Sequence, residues 1–153
     1  MVARVYADGA CIGNPGPGGF AAVVLVDGQE PRWLTGADPR TTNNQMELTA
    51  AIRGLEEARA IGADEILVFS DSQYLIRGIT EWISGWRRNG WLTSGKQPVK
   101  NRDLWIRLDA LTSDGKVAWR HVRGHAGNHY NEECDRRASE MAWQVARRRP
   151  PER

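Results

Sequence analysis

The sequence predicts an α/β fold in which helices pack on a five-stranded mixed sheet, and three observations lead to it. Three strand-like segments follow one another from the start with only turns between them. From residue 42 onward, stretches with helical spacing of apolar residues alternate with short apolar runs. The chain has 153 residues, 41% hydrophobic and 26% charged, which suits one well-buried core and leaves no room for two ordinary domains.

Taken in order, Val2 to Ala7 reads as a first strand, and the dense run Gly13-Asn-Pro-Gly-Pro-Gly-Gly19 as a turn. Phe20 to Val26 is nearly all apolar, as a central strand requires. Asp27-Gly28 is a hairpin signal, after which Arg32 to Gly36 pairs back as a third strand. Thr42 and Gln45 have capping-box spacing, and Leu48, Ala51, Ile52, Leu55 and Ala58 form one apolar helix face that Gly62 ends. Glu65 to Ser70 is a buried strand followed directly by Asp71 and a second helical segment. Asn101 to Leu111 reads as a helix and Lys116 to Val122 as a strand. Asn131 to Ala146 reads as a closing helix with Cys134, Ala138, Met141 and Val145 inward. The expected organisation is one domain over 1–146 and a basic, disordered tail over 147–153.

The formal net charge is +2, a weak pointer to a polyanionic partner. Its distribution says more: between Trp82 and Arg102 the charged residues are Arg87, Arg88, Lys96, Lys100 and Arg102, with no carboxylate among them. Cys11 and Cys134 stand far apart and form no short metal-binding or redox pair, so free thiols are expected. No secretion signal and no apolar run of membrane-spanning length is visible, which sets the expectation of a cytoplasmic protein.

The chemistry is carried by carboxylates. Asp8 ends the first strand and Asp71 follows the apolar run Ile66-Leu-Val-Phe69, at the carboxyl end of a strand where α/β sheets place ligands. Glu47 and Asp135 are expected in the first turns of two helices, where the dipole favours an anion. Glu47 and Asp135 could instead be ordinary helix-end charges. If all four converge, their repulsion raises their proton affinity unless divalent cations sit among them.

Around these carboxylates the chain reads Asp8-Gly-Ala-Cys-Ile-Gly-Asn-Pro-Gly, Thr41-Thr-Asn-Asn-Gln-Met-Glu47-Leu, Asp71-Ser-Gln-Tyr, Lys100-Asn-Arg-Asp-Leu-Trp105 and Gly124-His-Ala-Gly, followed by Asn131-Glu-Glu-Cys-Asp135. In this order, from about Val5 to Ala142, they closely resemble bacterial type 1 ribonuclease H. The resemblance implies the ribonuclease H-like fold and an endonuclease that hydrolyses the RNA strand of RNA/DNA hybrids, leaving 5′-phosphate and 3′-hydroxyl ends. It implies an acidic tetrad at Asp8, Glu47, Asp71 and Asp135. These would hold two Mg²⁺ ions, with Mn²⁺ able to substitute, about 3.5–4 Å apart in an in-line displacement. It gives His125 an auxiliary part in proton handling or product release. His121, His125 and His129, four residues apart, also suggest a zinc-binding helix face, but Gly124 and Gly127 oppose a helix there and His121 belongs to a strand.

By the same resemblance Asn14, Asn43, Asn44 and Gln73 contact the hybrid's minor groove, where the 2′-hydroxyl tells RNA from DNA. Asn14 could instead serve its turn, and Asn43 or Asn44 the helix start. The glycines of residues 13–19 lack the Gly-Lys-Ser/Thr ending of a phosphate-cradling P-loop and lead into a strand. Arg40, Thr42 and Asn14 resemble the family's pocket for a DNA-strand phosphate, which fixes position without reading sequence. Trp82, Trp86 and Trp91, interleaved with Arg87 and Arg88, resemble the basic protrusion that grips the DNA strand, although aromatic stripes are more often core. No Gly-Arg-Gly signature of type 2 enzymes is present, so several consecutive ribonucleotides should be needed. The expected partner is the hybrid duplex, with no membrane and no obligate protein partner, and the protein is expected to be a monomer. The competing readings are a non-catalytic hybrid-binding module, another nuclease or integrase of the same broad fold, and a domain of a larger polymerase.

Overall fold

The structure is a computed structural model in which residues 1–123 and 128–148 are described. Five strands, β1 (Val2–Cys11), β2 (Gly16–Leu25), β3 (Arg32–Thr41), β4 (Glu65–Ser70) and β5 (Val117–His121), form one sheet in the order β3-β2-β1-β4-β5. β1, β2 and β3 pair antiparallel, and β4 and β5 are added parallel to β1. The mixed five-stranded sheet expected from the sequence is therefore present.

Helices cover both faces. α1 (Asn43–Ala60) lies on one face of β1 and β2 with α4 (Arg102–Thr112) packed on it, and α5 (His129–Arg148) lies on the other face across β1, β2 and β3. Every residue of β2 is buried as a result, which is why its sequence is a continuous apolar and glycine run. Side chains alternate along β1, so Val5 and Ala7 enter the cores under α1 while Tyr6 packs with Cys134 and Ala138 of α5. Between β4 and α4 a single helical run comprises α2 (Gln73–Arg77), a π-helical turn over Gly78–Trp82, and α3 (Ile83–Asn89).

Several boundaries differ from the expectations. β1 continues to Cys11, so Asp8 sits within a paired strand opposite Ala21 and not at its end. Gly16 to Gly19 belong to β2, because pairing with β1 and β3 continues through them past an irregularity at Gly16/Gly18. β3 reaches Thr41 and not Gly36. α5 starts at His129 and runs to Arg148, so Arg147 and Arg148 are helical and not part of a disordered tail; residues 149–153 lie outside the described residues. Its buried stripe is Asn131, Cys134, Ala138 and Ala142, with Met141 and Val145 only half-buried. Gly19 explains the close seating of this helix: a Cβ there would stand 2.4 Å from the Ala138 carbonyl oxygen and 2.7 Å from the Ala142 nitrogen. No helix among the described residues is long and apolar enough to cross a membrane.

Candidate active site

Three of the four carboxylates meet. One carboxylate oxygen each from Asp8, Glu47 and Asp71 lies within 4.8 Å of the other two. Asp8 comes from β1 and Asp71 from the turn just past β4, the parallel neighbour of β1, so pairing of these strands brings the two together. That turn is held by hydroxyls on either side of Asp71. Ser70 Oγ accepts from the Ser72 amide at 3.0 Å, and Ser72 Oγ accepts from the Leu75 amide at 3.1 Å as the N-cap of α2.

Glu47 arrives from the opposite direction. Thr42 is the N-cap of α1, its Oγ1 accepting from the Gln45 amide at 3.1 Å, so Glu47 falls in the second turn and not the first. Asp135, seventh residue of α5, is likewise a turn deeper than expected. The helix dipole therefore does not account for either position, since it acts mainly on the first turn. What admits Glu47 is Gly9: a Cβ there would stand 2.5 Å from the Glu47 nitrogen, so only a glycine lets α1 approach β1 at this level. The Gly9 amide then donates to Asp8 Oδ1 at 2.9 Å.

The electrostatics are those of a site built for cations. Asp8 is 4% and Glu47 5% exposed. Burial, the largest cause, pushes Asp8 up to about 7, and repulsion from Asp71 and Asp135 adds to it. Burial raises Glu47 well above the usual carboxylate range too, followed by the charge of Asp8. Mutual repulsion alone was the expectation; desolvation proves the larger effect because both groups are almost sealed from water. Asp135 is half-buried and close enough to act on Asp8, but it stands outside the three-residue cluster. Glu47 Oε2 is buried without a hydrogen-bond partner among the described residues. An anionic acceptor left in that state is costly, and a hard cation among three carboxylates would satisfy it.

His125 lies outside the described residues. His121 ends β5, pairing with Ser70, and His129 begins α5, so these two histidines do not share a helix face, and the zinc reading loses its basis. Asn14 Oδ1 accepts from the Asn43 amide at 2.9 Å, tying the turn after β1 to the start of α1. Asn14, Arg40 and Gln73 are exposed, whereas Thr42, Asn43 and Asn44 are half-buried at the helix start. Trp82, Trp86 and Trp91 are half-buried and in contact, Trp82 with Trp86 at 5.9 Å and Trp86 with Trp91 at 6.3 Å between centroids. Trp86 and Trp91 also pack against the core, so this stripe is partly structural. Arg88 is exposed; Arg87 is engaged by Asp109 of α4 at 2.9 Å.

The sequence reading gave no role to the Gly9 amide or to a string of side chains through Gln45, Asn101 and Tyr74. Asn101 lay in plain view within Lys100-Asn-Arg-Asp-Leu-Trp105, but nothing local marks a side chain whose partners are 27 and 56 residues away.

Comparison with known proteins agrees with this geometry. A family model for RNase H matches residues 2–143. Ribonuclease H of Shewanella amazonensis is 51% identical over 139 residues, 91% of this chain and 87% of the relative. Ribonuclease H of Marinobacter nauticus is 53% identical over 135 residues, 88% and 90% of the two chains. Among solved structures, LC9-RNase H1, a type 1 RNase H with the type 2 active-site motif, is 31% identical with a TM-score of 0.81, covering 94% of this chain and 73% of its own.

Proposed function

The chain belongs to the RNase H family, and from that premise we propose that it is an endonuclease that hydrolyses the RNA strand of RNA/DNA hybrids, leaving 5′-phosphate and 3′-hydroxyl ends. The observation that carries the reading is the meeting of Asp8, Glu47 and Asp71 within 4.8 Å, with one buried Glu47 oxygen unsatisfied among the described residues. All-oxygen donors of this kind fit divalent cations, and we assign the site to two Mg²⁺ ions, for which Mn²⁺ can substitute, held by Asp8, Glu47, Asp71 and Asp135. When bound, Mg²⁺ supplies polarisation of the scissile phosphate and charge neutralisation at the attacking and departing oxygens.

The protein's own groups do the rest. The Gly9 amide fixes the Asp8 carboxylate, so its geometry is set before substrate arrives. Between them Asp8 and Glu47 hold a proton more tightly than free carboxylates, and a bound cation would displace it. Asn14, Asn43, Asn44 and Gln73 read the minor groove and its 2′-hydroxyls. Arg40, Thr42 and Asn14 seat a DNA-strand phosphate, and Trp82, Trp86, Arg87, Arg88 and Trp91 hold the DNA strand farther along. Asn14 can serve both the helix start and the duplex, because its Oδ1 faces the Asn43 amide and its Nδ2 remains a donor. His125 assists proton handling, a role that rests on the sequence resemblance alone.

The test is a hybrid labelled on each strand, incubated with the protein and Mg²⁺ or EDTA, beside an Asp71→Asn variant. The expected result is loss of the RNA strand in the wild-type Mg²⁺ tube alone, on linear and circularised substrates alike. Cleavage of the DNA strand, or equal cleavage in EDTA, would overturn the assignment.

A further inference from the structure

Of the seven tryptophans, six are buried or half-buried, whereas Trp143 in α5 is 53% exposed. A single exposed apolar side chain is ordinary on a protein surface, so its neighbours decide its meaning. Side chains four residues apart line one ridge of a helix, and the ridge turns by about 40° per step because 3.6 residues complete a turn. On α5 the ridge that begins at Asp135 runs through Ser139 and Trp143 to Arg147. The slow turn carries it outward: Asp135 and Ser139 are half-buried, and Trp143 and Arg147 are exposed. Asp135 is close enough to the carboxylate cluster to act on Asp8, so the ridge starts at the candidate active site and leads away from it.

The seating of α5 fixes where the ridge runs. Gly19 is the point at which Ala138 and Ala142 come closest to the sheet, and Gly19 pairs with Ala10, two residues beyond Asp8 on β1. The helix therefore passes over the carboxyl end of β1, the end that carries the acids. Trp143 stands about 12 Å and Arg147 about 18 Å from Asp135 along the helix axis. Charge on this stretch suits a polyanion. Arg147 and Arg148 form no ion pair among the described residues, while the neighbouring Glu140 is taken up by Arg136 at 2.5 Å. A phosphate has no use for an indole. An unpaired base does, because it offers a flat face for stacking once it has left the duplex.

We propose that Trp143 and Arg147 form a binding track for unpaired RNA that continues from the hybrid past the active site, Trp143 stacking on a base and Arg147 engaging a phosphate. The inference rests on the reading of the carboxylate cluster as the place where the RNA strand is cut. It concerns the RNA strand because that strand lies at Asp135, whereas the DNA strand is assigned to residues on other elements. The track favours a hybrid that carries a single-stranded RNA tail over a blunt hybrid with the same duplex. It lies outside the carboxylate cluster, so handling of blunt hybrids does not depend on it.

Binding is measured by fluorescence anisotropy with the inactive Asp71→Asn protein. The ligands share one duplex and are blunt, extended by unpaired RNA at the 5′ or the 3′ end, or extended by unpaired DNA on the other strand. The expected result is that one RNA-extended hybrid binds about tenfold more tightly than the blunt one, the worth of one stacked base. Adding Trp143→Ala should remove that gain and leave blunt-hybrid affinity and the melting temperature unchanged, and Trp143→Phe should restore most of it. Adding Arg147→Ala should lower the salt slope by about 0.7 on the extended hybrid alone. Equal affinity for the blunt and both RNA-extended hybrids, a gain that survives Trp143→Ala, or the same gain from a DNA extension would each overturn the track. A wild-type protein that cleaves no hybrid would instead overturn the functional reading beneath it.

Discussion

Glu47 is the least comfortable residue in the molecule. It is sealed between α1 and the sheet, faces Asp8 and Asp71, and keeps one oxygen without a hydrogen-bond partner among the described residues. Asp8 and Glu47 both bind a proton more tightly folded than unfolded. The stability they lend to the metal-free protein is thus fully present below the ordinary carboxylate range and is lost as pH rises through the folded value, about 7 for Asp8. Asp114 and Glu133 behave oppositely, held down to about 2 by hydrogen bonds to Arg59 and to Arg136 and Arg137, so their contribution is constant above about pH 5. In EDTA the melting temperature should therefore fall between about pH 5 and 8, by an amount of the order of a few kcal/mol in stability. Millimolar Mg²⁺ should abolish the fall, and Glu47→Gln should flatten it in EDTA. A melting temperature in EDTA that rises across this window would show that the pair is not protonated at low pH. At this scale the sequence revealed the acids but not their state: the motifs name Asp8 and Glu47, while their burial is a product of tertiary packing that no local pattern records.

Elements carry these residues to one another, and here the sequence was readable in part. The apolar runs disclosed β2 and β4, and Thr42 disclosed the start of α1, because hydrophobic period and cap chemistry are local signals. The sheet order was not readable, since β1 recruits β4 across the intervening residues 12–64. Nor was the π-helical turn at Gly78–Trp82, which leaves no distinct periodicity. Gly9 shows how an element-level contact controls the site. Gly9→Ala would force a methyl to within 2.5 Å of the Glu47 nitrogen and 2.6 Å of the Met46 carbonyl carbon, both backbone atoms that cannot rotate away. α1 must then lift from β1. The expected cost is about 2 kcal/mol or more in urea unfolding, with a Mg²⁺ requirement for cleavage raised at least tenfold. Wild-type metal dependence in a folded Gly9→Ala protein would remove Gly9 from the account.

Across the whole molecule, two charged regions bear on the proposed function. The acids gather where β1, β4, α1 and α5 meet, and the basic segment over residues 87–102 runs from the last turn of α3 through the connection to the first residue of α4. Arg87 and Arg88, at the start of that segment, are not equivalent. Arg87 bonds Asp109 while Arg88 forms no ion pair among the described residues. Binding of a hybrid to the inactive Asp71→Asn protein across a salt series should show the slope reduced by about one in Arg88→Ala. Arg87→Ala should reduce it similarly and also lower the melting temperature. Unchanged slopes in both would move the DNA strand to another face.

The central claim, that carboxylates from distant parts of the chain form one cation site, is open to titration calorimetry of Mn²⁺ or Mg²⁺ into the protein at neutral pH in two buffers of different ionisation enthalpy. The account predicts saturable binding accompanied by proton release, with both lost in Glu47→Gln. Binding of equal strength in that variant, or no binding at millimolar cation, would contradict it.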